Sequence, residues 1–161
     1  MNSKAVSNVV HWLSITIRIL SACMISYMRM SSKWKSQHRC HIILEILTGR
    51  QFMSVRPYWL KNPETGRNLE LDCYNEEYRL ALEYNGVQHY NYTPHFHSDM
   101  ARYEGQIVRD HIKKILCDKN GVYLIIVPYS IGNECLVSHI LMKLITTIKL
   151  GCNISLLPIL D

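Results

Sequence analysis

Three carboxylates interrupt a stretch of the chain that otherwise has the apolar alternation of two β-strands. In "LELDCYNEEYRLALEYNGVQHY" (residues 69–90), Glu70 and Asp72 lie in the first apolar run and Glu83 lies in the second. Successive strand side chains point to opposite faces, so Glu70 and Asp72 are expected on the same face. Carboxylates that share a face without a lysine repel one another unless a hard cation neutralises them. Mg²⁺ or Mn²⁺ meets that need, because these ions bind carboxylate oxygens together with a substrate phosphate.

The distance between the acids depends on the register of the hairpin. A turn centred on residues 76 and 77 would place Asp72 opposite Ala81 and diagonal to Glu83, about 7 to 8 Å apart at the backbone. The same register would place Glu70 opposite Glu83. An antiparallel hairpin also carries polar residues on any face that it exposes to water, so three solvated surface acids are the alternative interpretation.

The elements around the hairpin have the order helix, three strands, helix, strand, helix. They comprise a helix over 37–48 with Ser36 as its cap and Gly49 as its stop, an extended segment over 51–60, the hairpin over 69–85, a helix starting at Ser98 or Asp99, a strand within 122–130 and a last helix capped by Asn133. Periodicity, caps and turn residues predict these elements. The continuous apolar run of 122–130 is typical of a buried central strand. We therefore predict an α/β fold whose central mixed sheet of about four strands is flanked by helices.

The helix that starts near residue 98 carries two stripes at helical spacing. The apolar stripe, which is expected to face the core, consists of Met100, Tyr103, Ile107, Val108, Ile112 and Ile115. The polar stripe consists of Gln106, Arg109, Asp110 and Lys113. If the polar stripe faces the hairpin, it brings cations to the acids.

The first 35 residues are predicted to be an extension, with one domain over 36–161. Residues 9–28 are mostly apolar and long enough to cross a bilayer. Arg18 in the middle of this segment makes a membrane span costly, and no cleavage site of a signal peptide is clear. We expect a packed or appended helix in an intracellular protein, with a membrane anchor as the alternative.

The formal net charge of +5 is unevenly distributed along the chain. Residues 1–69 contain ten Lys or Arg and two acids, whereas residues 70–161 contain eight Lys or Arg and eleven acids. A basic half beside an acidic hairpin suits a polyanion that is held over a metal site. A chance distribution of surface charge is the alternative.

The six cysteines are scattered and form no Cys-x-x-Cys pair. This spacing favours reduced core residues of an intracellular protein over a disulfide framework. His38, Cys40 and His41 are three potential metal ligands within four positions, which leaves a zinc site as a minor alternative.

One motif in the chain matches a known family: Asp72, ten intervening residues and then Glu83-Tyr84-Asn85. This pattern resembles the PD-(D/E)XK nuclease superfamily, the restriction-endonuclease-like fold. "ALEYNGVQHY", "RDHIKK" and "GVYLIIVPY" are more specifically similar to its very-short-patch-repair-like branch and to uncharacterised relatives in large DNA viruses. The resemblance covers roughly residues 40–132. It implies Mg²⁺- or Mn²⁺-dependent hydrolysis of DNA phosphodiester bonds, on mismatched, nicked or branched DNA, with RNA left open.

The resemblance implies roles for individual residues. Asp72 and Glu83 match the metal ligands, Glu70 is an outer ligand, and Glu45 matches the acid that many members carry on the first helix. Arg56, Lys61, Arg109 and Lys113 are the candidates for phosphate contacts.

The chain departs from the family pattern at Asn85, where the family has a lysine. An amide orients a water molecule but transfers no proton. Gln88 with His89 is the first candidate to take over the role of the lysine, because His titrates near neutral pH, and Lys113 is the next. The alternative function is a catalytically inactive nuclease fold that binds nucleic acid.

Overall fold

The computed structural model describes residues 35–92 and 99–149, and its helices and strands follow the predicted order. The elements are α1 (Ser36–Thr48), β1 (Met53–Val55), β2 (Leu71–Asn75), β3 (Leu80–Asn85), α2 (Met100–Lys119), β4 (Tyr123–Pro128) and α3 (Leu136–Lys149). Two 3-10 turns, Val87–His89 and Asn133–Cys135, follow β3 and precede α3. The predicted α/β class is thereby confirmed.

The predicted N-terminal extension lies outside the described residues, apart from Lys35. No helix within 35–92 or 99–149 has both the length and the apolar character needed to cross a bilayer. The prediction for the apolar segment 9–28 therefore stays a prediction.

The four strands form one mixed sheet in the order β1-β2-β3-β4. The pairs β1–β2 and β2–β3 are antiparallel, and β3–β4 is parallel. The prediction that the 122–130 run forms a central strand was wrong, since β4 is an edge strand among the described residues. Its apolar run reflects packing against α2 on one face and α3 on the other, not strands on both sides.

Two apolar clusters cover the two faces of the sheet. The larger cluster, on the α1 and α3 face, includes Ile43 and Leu44 of α1, Leu80 and Leu82 of β3, and Ile140 and Leu144 of α3. The smaller cluster, on the α2 face, contains the buried residues Leu60, Leu71, Ala81, Cys117 and Val122. Burial of the apolar face of each element is the main stabilising contribution, and it is concentrated on the α1 and α3 face.

The hairpin turn spans residues 76–79, so the predicted register was wrong by two positions. Asn75 Oδ1 accepts a hydrogen bond from the Tyr78 amide at 2.9 Å, and Arg79 adopts a left-handed φ of 47°. The strands pair Cys73 with Leu82 and Asn75 with Leu80. Continued by one residue, this register places Asp72 directly opposite Glu83.

The predicted helix ends were right at Gly49 and Asp99 and wrong at Ser36 and Asn133, since Asn133 begins a 3-10 turn without capping it and α3 begins at Leu136. Lys35 takes the cap position of α1 in place of Ser36, while Asp99 caps α2 by accepting a hydrogen bond from the Arg102 amide at 2.9 Å. Gly49 ends α1 in the left-handed region, with φ 65°.

Two glycine substitutions should have opposite effects on stability. Gly49→Ala should lower the free energy of unfolding by about 1 kcal/mol, because a side chain strains the left-handed conformation. Gly105→Ala should raise it by about 0.5 to 1 kcal/mol, because Gly105 lies inside α2 and a Cβ there meets the flexible end of Arg109 at 3.3 Å. Urea denaturation of both variants measures this, and a shift of the same sign in both would contradict the argument.

Candidate active site

Asp72, Glu83 and Lys113 meet on the face of the hairpin that α2 covers. Glu83 follows Ala81 on β3 with one residue between them, so alternation places both on the α2 face. Glu83 is 4% exposed, and Lys113 Nζ donates a hydrogen bond to Glu83 Oε1 at 2.5 Å. Asp72 lies across the strand pair, partly exposed. The site therefore holds two acids and one cation.

Burial dominates the electrostatics of both acids. Desolvation raises the pKa of Glu83, and the charge and hydrogen bond of Lys113 offset this only in part. Desolvation also raises the pKa of Asp72, with Lys113 and His89 acting in the lowering direction and Glu70 in the raising direction. Two acids that are costly to ionise in the folded protein fit a hard divalent cation, which would favour their ionised forms. The donor set for such an ion is two carboxylates on adjacent strands.

Within residues 35–92 and 99–149, no three His, Cys, Asp or Glu side chains are grouped so that they could hold a metal ion. Asp72 and Glu83 are two carboxylates, and a Mg²⁺ site in which water and phosphate oxygens complete the coordination uses one or two.

His89 and Asp110 form a second ionic pair beside the first. His89 Nδ1 lies 2.7 Å from Asp110 Oδ2, and both side chains are less than one-fifth exposed. An ionised carboxylate can only accept, so Nδ1 donates this hydrogen bond and Nε2 is not used by the contact. Sequence reasoning placed Asp110 in the polar stripe of α2 but did not foresee this pairing with His89.

Asn85 and Gln88 lie next to this pair in the chain. Asn85 is 6% exposed, and its side chain hydrogen-bonds Tyr90, although burial still raises the pKa of the Tyr90 hydroxyl. Gln88 folds back over Gly86, since a Cβ on Gly86 would lie 2.3 Å from Gln88 Oε1. Both amides are thus held at the end of β3.

The inward-facing stripe of α2 is the polar one, so the predicted apolar face was wrong. Met100, Ile107, Val108 and Ile115 are exposed, whereas Gln106, Asp110 and Lys113 are partly buried on the opposite side. The helix turns its charges inward because Glu83 and His89 lie beneath it and need partners. Arg109 points to solvent.

Glu45 and Glu70 are both engaged outside this cluster. Glu45 Oε1 accepts a hydrogen bond from the Phe52 amide at 2.9 Å and lies 3.3 Å from His41 Nε2. Glu70 accepts from Ser54 Oγ at 2.6 Å and pairs with Arg56. The Ser54 bond, with Arg56, holds the pKa of Glu70 below its usual range.

The basic residues predicted to contact phosphate lie in different places. Arg56 pairs with Glu70, and Lys113 pairs with Glu83. Lys61 is exposed and forms an isolated backbone bridge with Asn68. Among these residues, Lys113 alone belongs to the cluster.

The His38–Cys40–His41 group does not assemble a zinc site among the described residues. Cys40 is fully buried in the core, and burial raises its pKa to about 12, which disfavours the thiolate. His41 Nε2 lies 2.8 Å from the Phe52 carbonyl oxygen. Cys73 and Cys117 are also buried, as predicted, but Cys135 is exposed, and Cys23 and Cys152 lie outside the described residues.

A cavity of about 220 Å³ opens beside Asp72 at the start of α1. Its lining residues are Lys35, Gln37, His38, His41, Asp72 and Cys73. The positive end of the α1 dipole and Lys35 make this cavity favourable for an anionic group. Asp72 thus lines an opening that also contains Lys35 and the first turn of α1.

Three uncharacterised viral proteins are similar to this chain. Protein 307L of Invertebrate iridescent virus 6 is 45% identical over 85 residues, which cover 50% of this chain and 43% of that protein. Protein 033L of Invertebrate iridescent virus 3 is 42% identical over 97 residues, 60% of this chain and 50% of that protein. Protein 094L of Frog virus 3 is 40% identical over 104 residues, 62% of this chain and 65% of that protein.

The chain is therefore similar to uncharacterised proteins of large DNA viruses, and its match spans less than two thirds of the length of each of these three. No family model matches the chain. No solved structure matches it significantly.

Proposed function

We propose that this protein is a metal-dependent endonuclease that hydrolyses DNA phosphodiester bonds with a PD-(D/E)XK core. The observation that carries the proposal is the meeting of Asp72, Glu83 and Lys113 on one face of the hairpin. Lys113 brings from α2 the ammonium group that Asn85 does not supply from β3. The order of elements and the similarity to proteins of large DNA viruses agree with this proposal.

Asp72 and Glu83 would hold Mg²⁺ or Mn²⁺. When bound, such a cation lowers the pKa of a water molecule and neutralises charge on the phosphoryl group. Lys113 lies within hydrogen-bond distance of Glu83, so its ammonium can stabilise negative charge that develops on a phosphoryl oxygen. The α1 cavity beside Asp72 accommodates the neighbouring backbone of the nucleic acid.

His89 is the proton acceptor in this proposal. Its Nδ1–H is fixed by Asp110, which orients the ring and stabilises the imidazolium that forms when Nε2 takes a proton from the attacking water. Gln88 and Asn85 are next to His89 and can orient that water through their amides.

A cleavage assay tests the proposal. Labelled duplex, single-stranded and branched DNA, and matching RNA, would be incubated with the protein in Mg²⁺, Mn²⁺ or EDTA. Product that requires metal and is lost in Glu83→Gln is the expected result. Salt-dependent binding without product in any metal would instead favour the non-catalytic nucleic-acid-binding function, for which the replacement of the family lysine by Asn85 is the supporting observation.

The pairing of His89 with Asp110 gives a second kinetic expectation. Asp110→Asn should lower the single-turnover cleavage rate by about 100-fold, because an amide orients the imidazole and supports a positive charge on it less well than a carboxylate does. Asp118→Asn, an exposed acid on the same helix, is the matched control and should cleave at the parent rate. A parent-like rate in Asp110→Asn would remove the His89–Asp110 pair from the proposed mechanism.

A further inference from the structure

The side-chain carbonyl of Asn85 is buried without a hydrogen bond. Asn85 is 6% exposed, and its Oδ1 has no hydrogen-bond partner in the part of the chain that the structure describes. The Asn85 side chain does hydrogen-bond Tyr90. The residue is therefore held in place while its Oδ1 has no donor. Folded proteins rarely leave a buried carbonyl unpaired, because the group loses its hydration without compensation.

Asn85 shares one face of β3 with an acid of the candidate site. Asn85 follows Glu83 with one residue between them, so strand alternation places both side chains on the α2 face. The partner of Asn85, Tyr90, feels the charge of Asp110. Asn85 is therefore the next residue after Glu83 on this face, and it bonds a tyrosine that is close enough to Asp110 to feel its charge.

The chemistry of the leftover atom suits a hard divalent cation. An amide oxygen is a neutral hard ligand of the kind that Mg²⁺ and Mn²⁺ accept beside carboxylates. With Asp72 and Glu83 it would give three oxygen-bearing side chains, and the two carboxylates would supply the negative charge. A lysine at this position would place a second cation beside Lys113, whereas an amide adds a ligand without adding charge.

We infer that Asn85 Oδ1 is a third protein ligand of the divalent cation held by Asp72 and Glu83. The inference rests on the proposed metal site and adds to it a residue whose family counterpart is not a ligand. The departure from the family pattern then has two linked parts. Lys113 on α2 supplies the positive charge of the family lysine, and Asn85, at the position of that lysine on β3, supplies an oxygen.

Binding of Mn²⁺ to the full chain, measured by calorimetry without nucleic acid, tests the inference. Asn85→Ala should weaken Mn²⁺ binding by at least about 10-fold, on the scale known for metal-site substitutions. Asn85→Asp, which keeps an oxygen at the same place, should bind at least as tightly as the parent. Asn68→Ala is the control, since this amide contacts the Arg56 backbone away from the site, and it should bind as the parent does.

The outcomes separate the inference from the proposed function. Parent-like Mn²⁺ binding by Asn85→Ala, with binding lost in Asp72→Asn, would overturn the ligand role of Asn85 and leave the nuclease proposal standing. Absence of Mn²⁺ binding by the parent protein would overturn both. Circular dichroism checks the fold of each variant, and if Asn85→Ala does not fold, weakened binding by Asn85→Asp would itself overturn the inference.

Discussion

Asp72→Asn should abolish metal-dependent cleavage and at the same time stabilise the metal-free protein. The loss of activity is expected to reach about three orders of magnitude, since one of the two carboxylates that would hold the cation is gone. The gain in the free energy of unfolding should be about 1 kcal/mol near neutral pH, the usual size of such trade-offs at functional sites.

The gain in stability should depend on pH with a definite sign. Burial raises the pKa of Asp72 in the folded state, so the folded chain binds this proton more tightly than the unfolded chain does. The free energy of unfolding of the parent therefore falls as pH rises from the unfolded pKa to the raised folded pKa. Asp72→Asn has no carboxyl at this position and therefore does not lose this stability. The free energies of unfolding of the two proteins should differ little near pH 3 and most near neutral pH.

Urea denaturation at several pH values and single-turnover cleavage measure the two effects of Asp72→Asn. Glu70→Gln is the matched control: its hydrogen bond to Ser54 lowers the pKa of the carboxyl, so this variant should lose stability at neutral pH and keep its activity. Full activity of Asp72→Asn would contradict the proposed site. A loss of stability in that variant would contradict the claim that Asp72 is ionised at a cost.

Lys113→Met should destabilise the protein by about 3 kcal/mol at neutral pH. Lys113 and Glu83 have 16% and 5% of their side chains exposed, so removing the lysine leaves a buried carboxylate without its partner. The penalty should shrink as the pH falls, because Glu83, whose pKa is raised by burial, then takes up a proton. The same variant should lose cleavage activity.

Two further variants make the Lys113 experiment specific. Lys114→Met changes the neighbouring exposed lysine and should alter stability by less than about 0.5 kcal/mol. The double variant Glu83→Gln with Lys113→Met should recover much of the stability lost in the single variant, because neither charge is then buried alone. If Lys113→Met loses the same stability relative to the parent at pH 5 and at pH 8, Lys113 does not stabilise the ionised form of Glu83.

Local signals in the sequence were enough for the element order, the Gly49 stop and the Asp99 cap, since each depends on a few adjacent residues. The hairpin register was not predictable from the same signals. The turn is set by the Asn75 side chain and by a left-handed Arg79, a residue type that gives no turn signal of its own. The grouping of Asp72 with Glu83 was foreseen, but their direct opposition depends on that turn.

The orientation of α2 could not be read from its periodicity, because both stripes have helical spacing. Charged groups on the sheet decided which stripe faces inward, and these contacts exist only after the chain has folded. For the same reason, the sequence alone leaves Lys113 as one of several candidates for the role of the missing lysine, since its contact with Glu83 depends on how α2 packs on the sheet. The hydrogen bond of Glu45 to the Phe52 amide likewise depends on the turn between α1 and β1.

The sparse burial of α2 has a consequence for motion. Cys117 is the one buried residue within this helix, whereas α3 places Leu136, Ile140 and Leu144 fully in the core. Separation of α2 from the sheet would expose little apolar surface, so we expect its amide hydrogens to exchange through local opening and those of α3 through global unfolding. Asp110 and Lys113 would then hold α2 against the sheet in addition to their proposed roles in cleavage, and a bound cation or phosphate would slow exchange across the whole of α2.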